Sequence, residues 1–170
     1  MNEGVNEMTT FDFGNGLVAA HQHPNGGGWV ADTATVSETA YVGPDAMVSG
    51  NAMVSGNAKV SGRAVVIGDA VVTGDARVYD NARVSDYAWV SGDARVSGYA
   101  VVDGYAVVDG YAEVSDYARV TGNARVYGNA VVTGYAKVSG DAVVYGNAWV
   151  TGNAVVSGNA QVFGNERRSE

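Results

Sequence analysis

The stretch VSGNAMVSGNAKVSG, Val48 to Gly62, repeats a six-residue unit with almost no change. The unit extends far in both directions. Every sixth residue from Val30 to Val162 is valine, and every sixth residue from Ala34 to Ala160 is alanine. The two unbroken series contain 23 valines and 22 alanines. A regular internal repeat of this kind decides the fold before any single element is assigned.

The six-residue period predicts short strands and not helices. Glycine recurs in nearly every unit and would interrupt a helix about every second turn. In the triplet Ala-x-Val, strand alternation places alanine and valine on one face. The Gly-Asn, Gly-Asp and Asp-Asn pairs that follow are typical of tight turns. Each unit is therefore one strand and one corner, stacked in a β-solenoid around valine and alanine.

The number of strands per coil follows from the variable, outward residues, which should be related where they stack. A step of 18 residues aligns three columns: Lys59, Arg77, Arg95 and Glu113; Tyr127, Tyr145 and Phe163; and Tyr99, Tyr117 and Tyr135. A two-sided coil, made of two units, would align Tyr87, Tyr99 and Tyr111 equally well. We favour three sides, which divides residues 29–164 into about seven to eight coils. The rod would be about 36 Å long at a strand spacing of ~4.8 Å.

The run Val-Ser-Gly-Asn-Ala-x resembles the bacterial hexapeptide-repeat superfamily, in which a small residue follows an aliphatic one four places later. The match covers about four-fifths of the chain. This resemblance implies an all-β, single-stranded parallel β-helix with a triangular cross-section. It also implies a left-handed coil, an exception to the right-handed crossover rule. The segment GGGWV, Gly26 to Val30, resembles the start of phage and prophage hexapeptide proteins.

The repeat divides the chain into three segments. Residues 1–28 are an N-terminal capping or attachment segment, residues 29–164 are the β-helix, and residues 165–170 are a polar tail. Identical coils can slip by one unit and still bury valine on valine, so the non-repeating ends are expected to fix the register. The charged tail would also block an open sheet edge.

The corners predict local strain where glycine is missing. Gly43-Pro44-Asp45 suits a type II turn with Asp45 at positive φ. The corners at Asp86 and Asp116 contain no glycine, and each is followed by a tyrosine. We expect these two corners to be strained or to be supported by a neighbouring residue.

Composition excludes several classes of function. A net charge of −8 and a pI near 4.6 disfavour binding to nucleic acid or to anionic membranes. The absence of cysteine removes disulfides and thiolate metal sites. The start of the chain lacks the basic and apolar regions of a secretory signal, and no segment is long enough to cross a membrane. A cytoplasmic or virion-associated location is the resulting expectation.

The outward residues predict self-association. One face carries Trp29, Met47, Val65, Ile67, Val101 and Val155. A second carries Met53, Val71, Trp89, Val107, Val143, Tyr145 and Phe163, with Tyr127 in the same column as the last two. The third carries Lys59, Arg77, Arg95 and Glu113. Two apolar faces beside a charged one favour a parallel homotrimer, as is common in hexapeptide proteins, because monomers rarely expose large apolar patches. Scattered exposed valine could instead serve only to stabilise strands.

A row of tyrosines forms a second candidate surface. Tyr99, Tyr117 and Tyr135 should stack along one edge, where they could contact a sugar, a base or a partner chain. Stacked aromatic residues also stabilise a solenoid edge without any ligand.

Enzymatic functions find little support in the repeat. The hexapeptide acyltransferases that it resembles use a catalytic histidine near a coil junction and bind coenzyme A between subunits, yet no histidine lies between Val30 and Val162. His21 and His23 could form half of a metal site or supply a base. Asp103 and Asp109, one unit apart, would point from different faces and could not share a substrate. No catalytic residue, metal site or cofactor is assigned.

The sequence therefore favours a non-enzymatic structural or interaction protein, a rigid and trimeric solenoid. It would serve as a virion or tail component, a spacer or a partner-binding module, with another structural protein as a candidate partner. One alternative is an acyltransferase with an inter-subunit site that uses His21 or His23. Another is a binder of a small molecule or glycan along the tyrosine edge.

Overall fold

The computed structural model describes residues 9–170, which form β-strands joined by corners and contain no helix. In the repeat, almost every strand is two residues long and ends at the repeat valine, as in Met47–Val48. Each strand pairs in parallel with the strand three units further along, so that Met47 lies beside Val65. The predicted three-sided coil is therefore confirmed, and the two-sided alternative is wrong.

The strands form three sheets. The first sheet contains Thr10–Asp12, Leu17–Gln22, Trp29–Ala31, Met47–Val48, Val65–Val66, Arg83–Val84, Val101–Val102, Arg119–Val120, Lys137–Val138 and Val155–Val156. The second contains Thr35–Val36, Met53–Val54, Val71–Val72, Trp89–Val90, Val107–Val108, Arg125–Val126, Val143–Val144 and Gln161–Val162. The third contains Tyr41–Val42, Lys59–Val60, Arg77–Val78, Arg95–Val96, Glu113–Val114, Val131–Val132, Trp149–Val150 and Arg167–Arg168. The chain visits the sheets in turn, which gives a triangular β-solenoid of about eight coils.

The interior of the solenoid consists of the two repeated apolar residues. Every repeat valine from Val42 to Val150, and every repeat alanine from Ala40 to Ala148, has no solvent-exposed surface. Burial of one valine side chain contributes roughly 1.5 to 3 kcal/mol, so a continuous column of valines is the main stabilising feature of each sheet. Towards the ends the burial weakens, since Val36 is only partly buried and Ala160 is exposed.

From Val48 onwards the corners have a left-handed backbone two residues after each repeat valine, and glycine usually supplies it. Gly56 has a φ of 68°, and a Cβ atom built on it would lie 2.8 Å from the carbonyl oxygen of Gly74 in the next coil. Gly158, in the last coil, has a φ of 62° but no atom within 4 Å of such a Cβ. At Gly56, both the left-handed φ and the close backbone of the next coil disfavour a larger residue. At Gly158, only the left-handed φ does.

This difference yields a matched prediction, because Gly56 and Gly158 lie in identical VSGNA segments. Gly158→Ala should cost about 1 kcal/mol of unfolding free energy, the cost of a left-handed alanine. Gly56→Ala should cost about 1 kcal/mol more, because the next coil must also shift. Denaturant unfolding of both variants measures the difference. Equal losses would show that coil spacing places no limit on the corner.

Three corners carry aspartate in the left-handed position: Asp80, Asp86 and Asp116, with φ values of 61°, 59° and 58°. In each, a side-chain oxygen accepts a hydrogen bond from the backbone N–H of the glycine one coil later, at 3.1 to 3.2 Å. The prediction that the corners at Asp86 and Asp116 are strained or supported by a neighbouring residue is therefore confirmed. Sequence reasoning missed Asp80, although its corner also lacks glycine.

The prediction for Asp45 is wrong, because this residue is not among those with positive φ. The left-handed position of its corner, two residues after Val42, is occupied by Pro44. The proline ring fixes φ at about −65° and cannot adopt that conformation. This corner therefore differs from the corners after Val48 and after each later repeat valine, which all have a residue with positive φ at this position.

The N-terminal segment covers one end of the first sheet. Thr10–Asp12 and Leu17–Gln22 form an antiparallel hairpin, and the second of these strands pairs antiparallel with Trp29–Ala31. The backbone carbonyl of Asn25 accepts a hydrogen bond from the N–H of Val42, and its side-chain amide donates to the carbonyl of Ala40. The antiparallel strand Leu17–Gln22 ends the parallel ladder of the first sheet. Asn25 makes hydrogen bonds at the first strand of the third sheet, Tyr41–Val42, and at the residue before it.

The C-terminal residues continue the third sheet by one strand, since Arg167–Arg168 pairs with Trp149–Val150. Glu166 and Arg168 occupy the positions that alanine and valine hold in earlier coils. Their side chains form an ion pair, with 3.6 Å between Arg168 Nη2 and Glu166 Oε2. A charged pair in these two positions cannot support a further dry coil.

Candidate functional site

The predicted interface residues occupy outward positions on two sheets. Trp29 and Met47 are in-register neighbours on the first sheet. The ring of Phe11, from the N-terminal hairpin, stacks on Trp29 with 4.5 Å between ring centroids. The hairpin thus extends the apolar surface of the first sheet by one aromatic layer, which the repeat pattern could not show.

The second sheet carries a continuous apolar ladder. Met53, Val71, Trp89 and Val107 occupy the same outward position in four consecutive coils and pair in register. Met53 is 45% exposed and Trp89 is 47% exposed, so their apolar surface is open to solvent. Arg125 follows Val107 in the column and interrupts the ladder before Val143.

A second column runs along the same sheet on the far side of the repeat valines. Tyr127, Tyr145 and Phe163 stack on one another, with ring centroids 5.3 and 5.5 Å apart. The structure therefore brings these three predicted residues together in one ladder. They begin at the coil in which Arg125 interrupts the neighbouring column, so aromatic surface continues to the C-terminal end of the second sheet.

The faces are less sharply divided than the sequence reasoning assumed. The first sheet also presents Arg83, Arg119 and Lys137, and the third sheet presents Val131 and Trp149 beyond its charged residues. The sequence does contain the information on this mixed distribution of charge. It is found by reading the residue before each repeat valine in steps of 18 residues, which follows one sheet from coil to coil. Apolar surface is thus concentrated in the early coils of the first sheet, in the second sheet and in the last coils of the third.

The third sheet carries three stacked cations. Lys59, Arg77 and Arg95 are in-register neighbours, and Glu113 follows them. None of the three cations forms an ion pair with any residue in 9–170. Like charges directly opposite one another on a sheet are destabilising. Apolar packing against this part of the surface is disfavoured, because it would remove unpaired cations from water.

The tyrosine edge follows the third sheet, at its corner with the first. Tyr99, Tyr117 and Tyr135 lie in consecutive coils with centroids 5.1 and 4.9 Å apart and rings within 5° of parallel. Each inner ring face is therefore covered by the next ring, and the row presents ring edges and hydroxyl groups to solvent. A sugar cannot stack on the middle of this edge. Only the outer faces of Tyr99 and Tyr135 remain free of tyrosine.

A second tyrosine pair lies at the corner after the first sheet. Tyr87 and Tyr105 stack with centroids 4.9 Å apart. Tyr111, at the corner after the second sheet, is 69% exposed. One coil thus has a tyrosine at every corner: Tyr105, Tyr111 and Tyr117. The sequence signal for this belt is tyrosine three residues after the repeat valine.

Asp103 directly follows the first-sheet strand Val101–Val102, and its pKa is raised. Partial burial raises its pKa, while the guanidinium of Arg119, with Nη2 3.9 Å from Oδ2, acts in the opposite direction. The carboxylate of Asp86 also raises this pKa, and the positive charge of Arg83 lowers it. Asp103 thus lies within a local network of alternating charge on the first sheet.

Asp116 has a pKa below its ordinary value of 3.8, because its carboxylate accepts hydrogen bonds from the Thr133 hydroxyl and from the Gly134 N–H. A lowered folded-state pKa stabilises the fold above the unfolded-state pKa, and this contribution disappears as pH falls through the folded-state value. The stability advantage of the native chain over Asp116→Asn should therefore be constant near neutral pH and shrink below about pH 4. Urea unfolding as a function of pH measures it, with Thr133→Val expected to weaken the pH dependence. An advantage that grows on acidification would contradict this assignment.

The two histidines have different environments. His21 Nδ1 lies 2.8 Å from Asp32 Oδ1, and both side chains are about half exposed. His23 is 3% exposed, and its Nδ1 contacts the backbone nitrogen and oxygen of Asn25. The exposed imidazole of His21 and the buried imidazole of His23 therefore lie in different environments. Within residues 9–170 no group of three or more histidine or acidic side chains is arranged to hold a metal ion.

The architecture defines the chain as a β-solenoid repeat protein. The family model of the YdcK beta solenoid repeat matches it in six stretches: residues 76–92, 88–104, 118–134, 124–140, 136–152 and 142–158. These stretches lie in the central and C-terminal coils, so the similarity concerns the repeat unit. No curated protein and no solved structure matches the chain significantly. The part of the chain that the structure describes also contains no helix long and apolar enough to span a membrane.

Proposed function

We propose that the protein is a non-catalytic, rigid solenoid that associates side by side as a parallel homotrimer and serves as a spacer or partner-binding module. The observation that carries this proposal is the uninterrupted core, fully buried from Val42 to Val150, beneath outward ladders of apolar residues. A close-packed interior resists deformation. Four consecutive in-register apolar residues, with Met53 and Trp89 about half exposed, form a continuous apolar strip, a feature that can mark an interaction site.

In their early coils the first and second sheets are complementary when parallel copies stand side by side at the same height, whereas two coils after Arg83 the same pairing places Arg119 against Arg125 of the neighbouring copy. In such a trimer each coil of one copy faces the same coil of its neighbour. Met47 would then meet Met53, and Val65 would meet Val71. In the next coil Arg83 would lie against Trp89 of the neighbouring copy, which is a favourable cation–π arrangement. Arg83, which interrupts the apolar surface of the first sheet, would therefore contribute to the proposed interface.

The third sheet would remain on the outside of this trimer. Its stacked cations, Lys59, Arg77 and Arg95, are poorly suited to apolar packing and well suited to solvent. More specifically, we propose that the solenoid is a component of a virion or a phage tail. This role is supported by the likeness of Gly26 to Val30 to the start of phage hexapeptide proteins.

Sedimentation equilibrium tests the proposal. The expected mass is three times that of the 17.5 kDa chain. A monomer at micromolar concentration would overturn the self-association. A mass of two chains would overturn the threefold arrangement.

The second candidate function is an acyltransferase, and one observation favours it. His21 is oriented by Asp32, and a histidine held by a carboxylate is a common general base. Calorimetric titration with acetyl-coenzyme A distinguishes the candidates. Binding that His21→Ala abolishes would favour the enzyme, and absence of binding would favour the structural role.

A further inference from the structure

The corner between the third and first sheets contains a gap in its column of side chains. In successive coils this column carries Arg63, Asn81 and Tyr99, and the tyrosine stack continues from there. Asn81 is the short member between two long ones. A shallow depression lies at this place, lined by Arg63, Asp80, Asn81 and Tyr99 with Asp45 at its margin.

The dimensions of the gap fit one planar ring. The tyrosines of this column are spaced 4.9 to 5.1 Å apart. Arg63 lies two coils before Tyr99, about 10 Å away along the rod. A ring in the layer of Asn81 would therefore be one stacking distance from each. One ring face would contact the free face of Tyr99, and the other would contact the guanidinium of Arg63, which also stacks on aromatic rings.

The side chain of Asn81 differs from those of five other corner asparagines, although Asn153 and Asn159 in the last coils also make no side-chain hydrogen bond to residues 9–170. Asn51, Asn57, Asn123, Asn129 and Asn147 each donate a side-chain hydrogen bond to the residue one coil later. Asn81 makes no side-chain hydrogen bond to any residue in 9–170, because the residue one coil later is Tyr99. Its amide lies in the layer that the ring would occupy, with one acceptor and two donor hydrogens available.

An amide edge of this kind selects a ring with a matching edge. Asparagine forms paired hydrogen bonds with an amino group and the adjacent ring nitrogen of adenine. The carboxylates of Asp80 and Asp45 disfavour anionic substituents and accept from amino groups. The net charge of −8 also disfavours a nucleic acid strand. The chemistry therefore matches a free, neutral, amino-substituted heteroaromatic ring.

We propose that the gap between Tyr99 and Arg63 is a binding site for a nucleobase-type ring, stacked between these two side chains and hydrogen-bonded in plane to Asn81. The site does not depend on the oligomeric state or on catalysis. The proposed site lies at one end of the tyrosine stack, where a face of Tyr99 is free. It does not lie in the middle of the stack, where the ring faces are covered.

Saturation-transfer NMR and calorimetry with adenosine test the site. Asn81→Tyr would fill the gap with a fourth ring and is expected to weaken adenosine binding at least about tenfold, as is Tyr99→Leu. Tyr135→Leu, at the other end of the same stack, should leave binding within about twofold. The control Asn123→Tyr adds a ring next to Tyr105 in another column and should also leave adenosine binding unchanged.

Three further results decide between ring types and between sites. Adenosine monophosphate should bind more weakly than adenosine, and N-acetyltyrosinamide, which lacks the complementary edge, should bind at least about tenfold more weakly. Equal binding of N-acetyltyrosinamide would overturn recognition by Asn81. Adenosine binding that survives Asn81→Tyr, or its absence in the folded native chain at millimolar concentration, would overturn the site. Thermal unfolding of Asn81→Tyr, expected to match the native transition, shows that loss of binding is not loss of fold.

Discussion

Val102→Asp is expected to unfold the solenoid, with a loss of about 4 kcal/mol or more. Val102 has no exposed surface and lies in the middle of the core, where valines and alanines on all three sides leave no partner for a carboxylate. The charged group would be buried without hydrogen bonds, or the coil would have to open. In a solenoid each coil supports its neighbours, so the damage should spread along the rod.

The adjacent residue provides the matched control. Val101 precedes Val102 in the same strand and points outward. Val101→Asp should change stability by only about 0.5 to 1 kcal/mol, since it loses a partly exposed strand contact. Circular dichroism during urea unfolding compares the two. Similar losses in both variants would contradict the assignment of inside and outside that underlies the whole fold.

Trp89→Asp is expected to convert the proposed trimer into monomers, with association weakened by at least about 100-fold. Trp89 lies in the middle of the apolar ladder on the second sheet, and in the parallel arrangement it meets Arg83 of the neighbouring copy. Aspartate removes the largest apolar surface of that ladder. The chain itself should stay folded, because the Trp89 side chain lies outside the core.

Trp149→Asp is the control for this prediction. Trp149 is 43% exposed, but it lies on the third sheet, where Arg167 is positioned 5.3 Å from its ring centroid. Its replacement should leave the mass of the assembly unchanged in velocity sedimentation. If Trp149→Asp dissociates the assembly and Trp89→Asp does not, the third sheet forms the interface and the proposed pairing of faces is wrong.

The repeat valines and alanines predict the fold well, because each occupies the same environment in every coil. The column of Lys59, Arg77, Arg95 and Glu113 also indicates the coil length of 18 residues. Outward side chains that stack on one another in consecutive coils tend to be chemically related, and these four charged residues follow one another at that step. The left-handed sense of the coil rests on the family resemblance alone. Residue spacing is the same in a coil and in its mirror image.

The parts that the sequence did not predict lie where the repeat ends or is locally broken. The hairpin of residues 10–22 pairs antiparallel, which a parallel repeat cannot indicate. The corner at Pro44 and Asp45 lies where it was predicted, but Asp45 does not have the positive φ of a type II turn, and Pro44 cannot adopt the left-handed conformation that later corners use. The candidate site at Asn81 depends on a side-chain amide without a hydrogen-bond partner in residues 9–170, and the position of asparagine in the repeat does not indicate this.

The tyrosine edge shows why residue type alone misleads. Tyr99, Tyr117 and Tyr135 stack along one edge as predicted, and their nearly parallel rings cover one another's faces, so the middle of this edge offers a ligand only ring edges and hydroxyl groups. Sequence can place the three rings in one column. It cannot give the angle between them, which decides whether a face or an edge meets the solvent.

Small-angle X-ray scattering of the native chain tests the central claim most directly, because it reports mass and shape together. We predict a particle of three chains that is about as long as one rod, roughly 38 Å for eight coils at ~4.8 Å per coil. Its cross-section should be correspondingly broad. A particle with the width of one solenoid and two or three times its length would contradict side-by-side association through the first and second sheets.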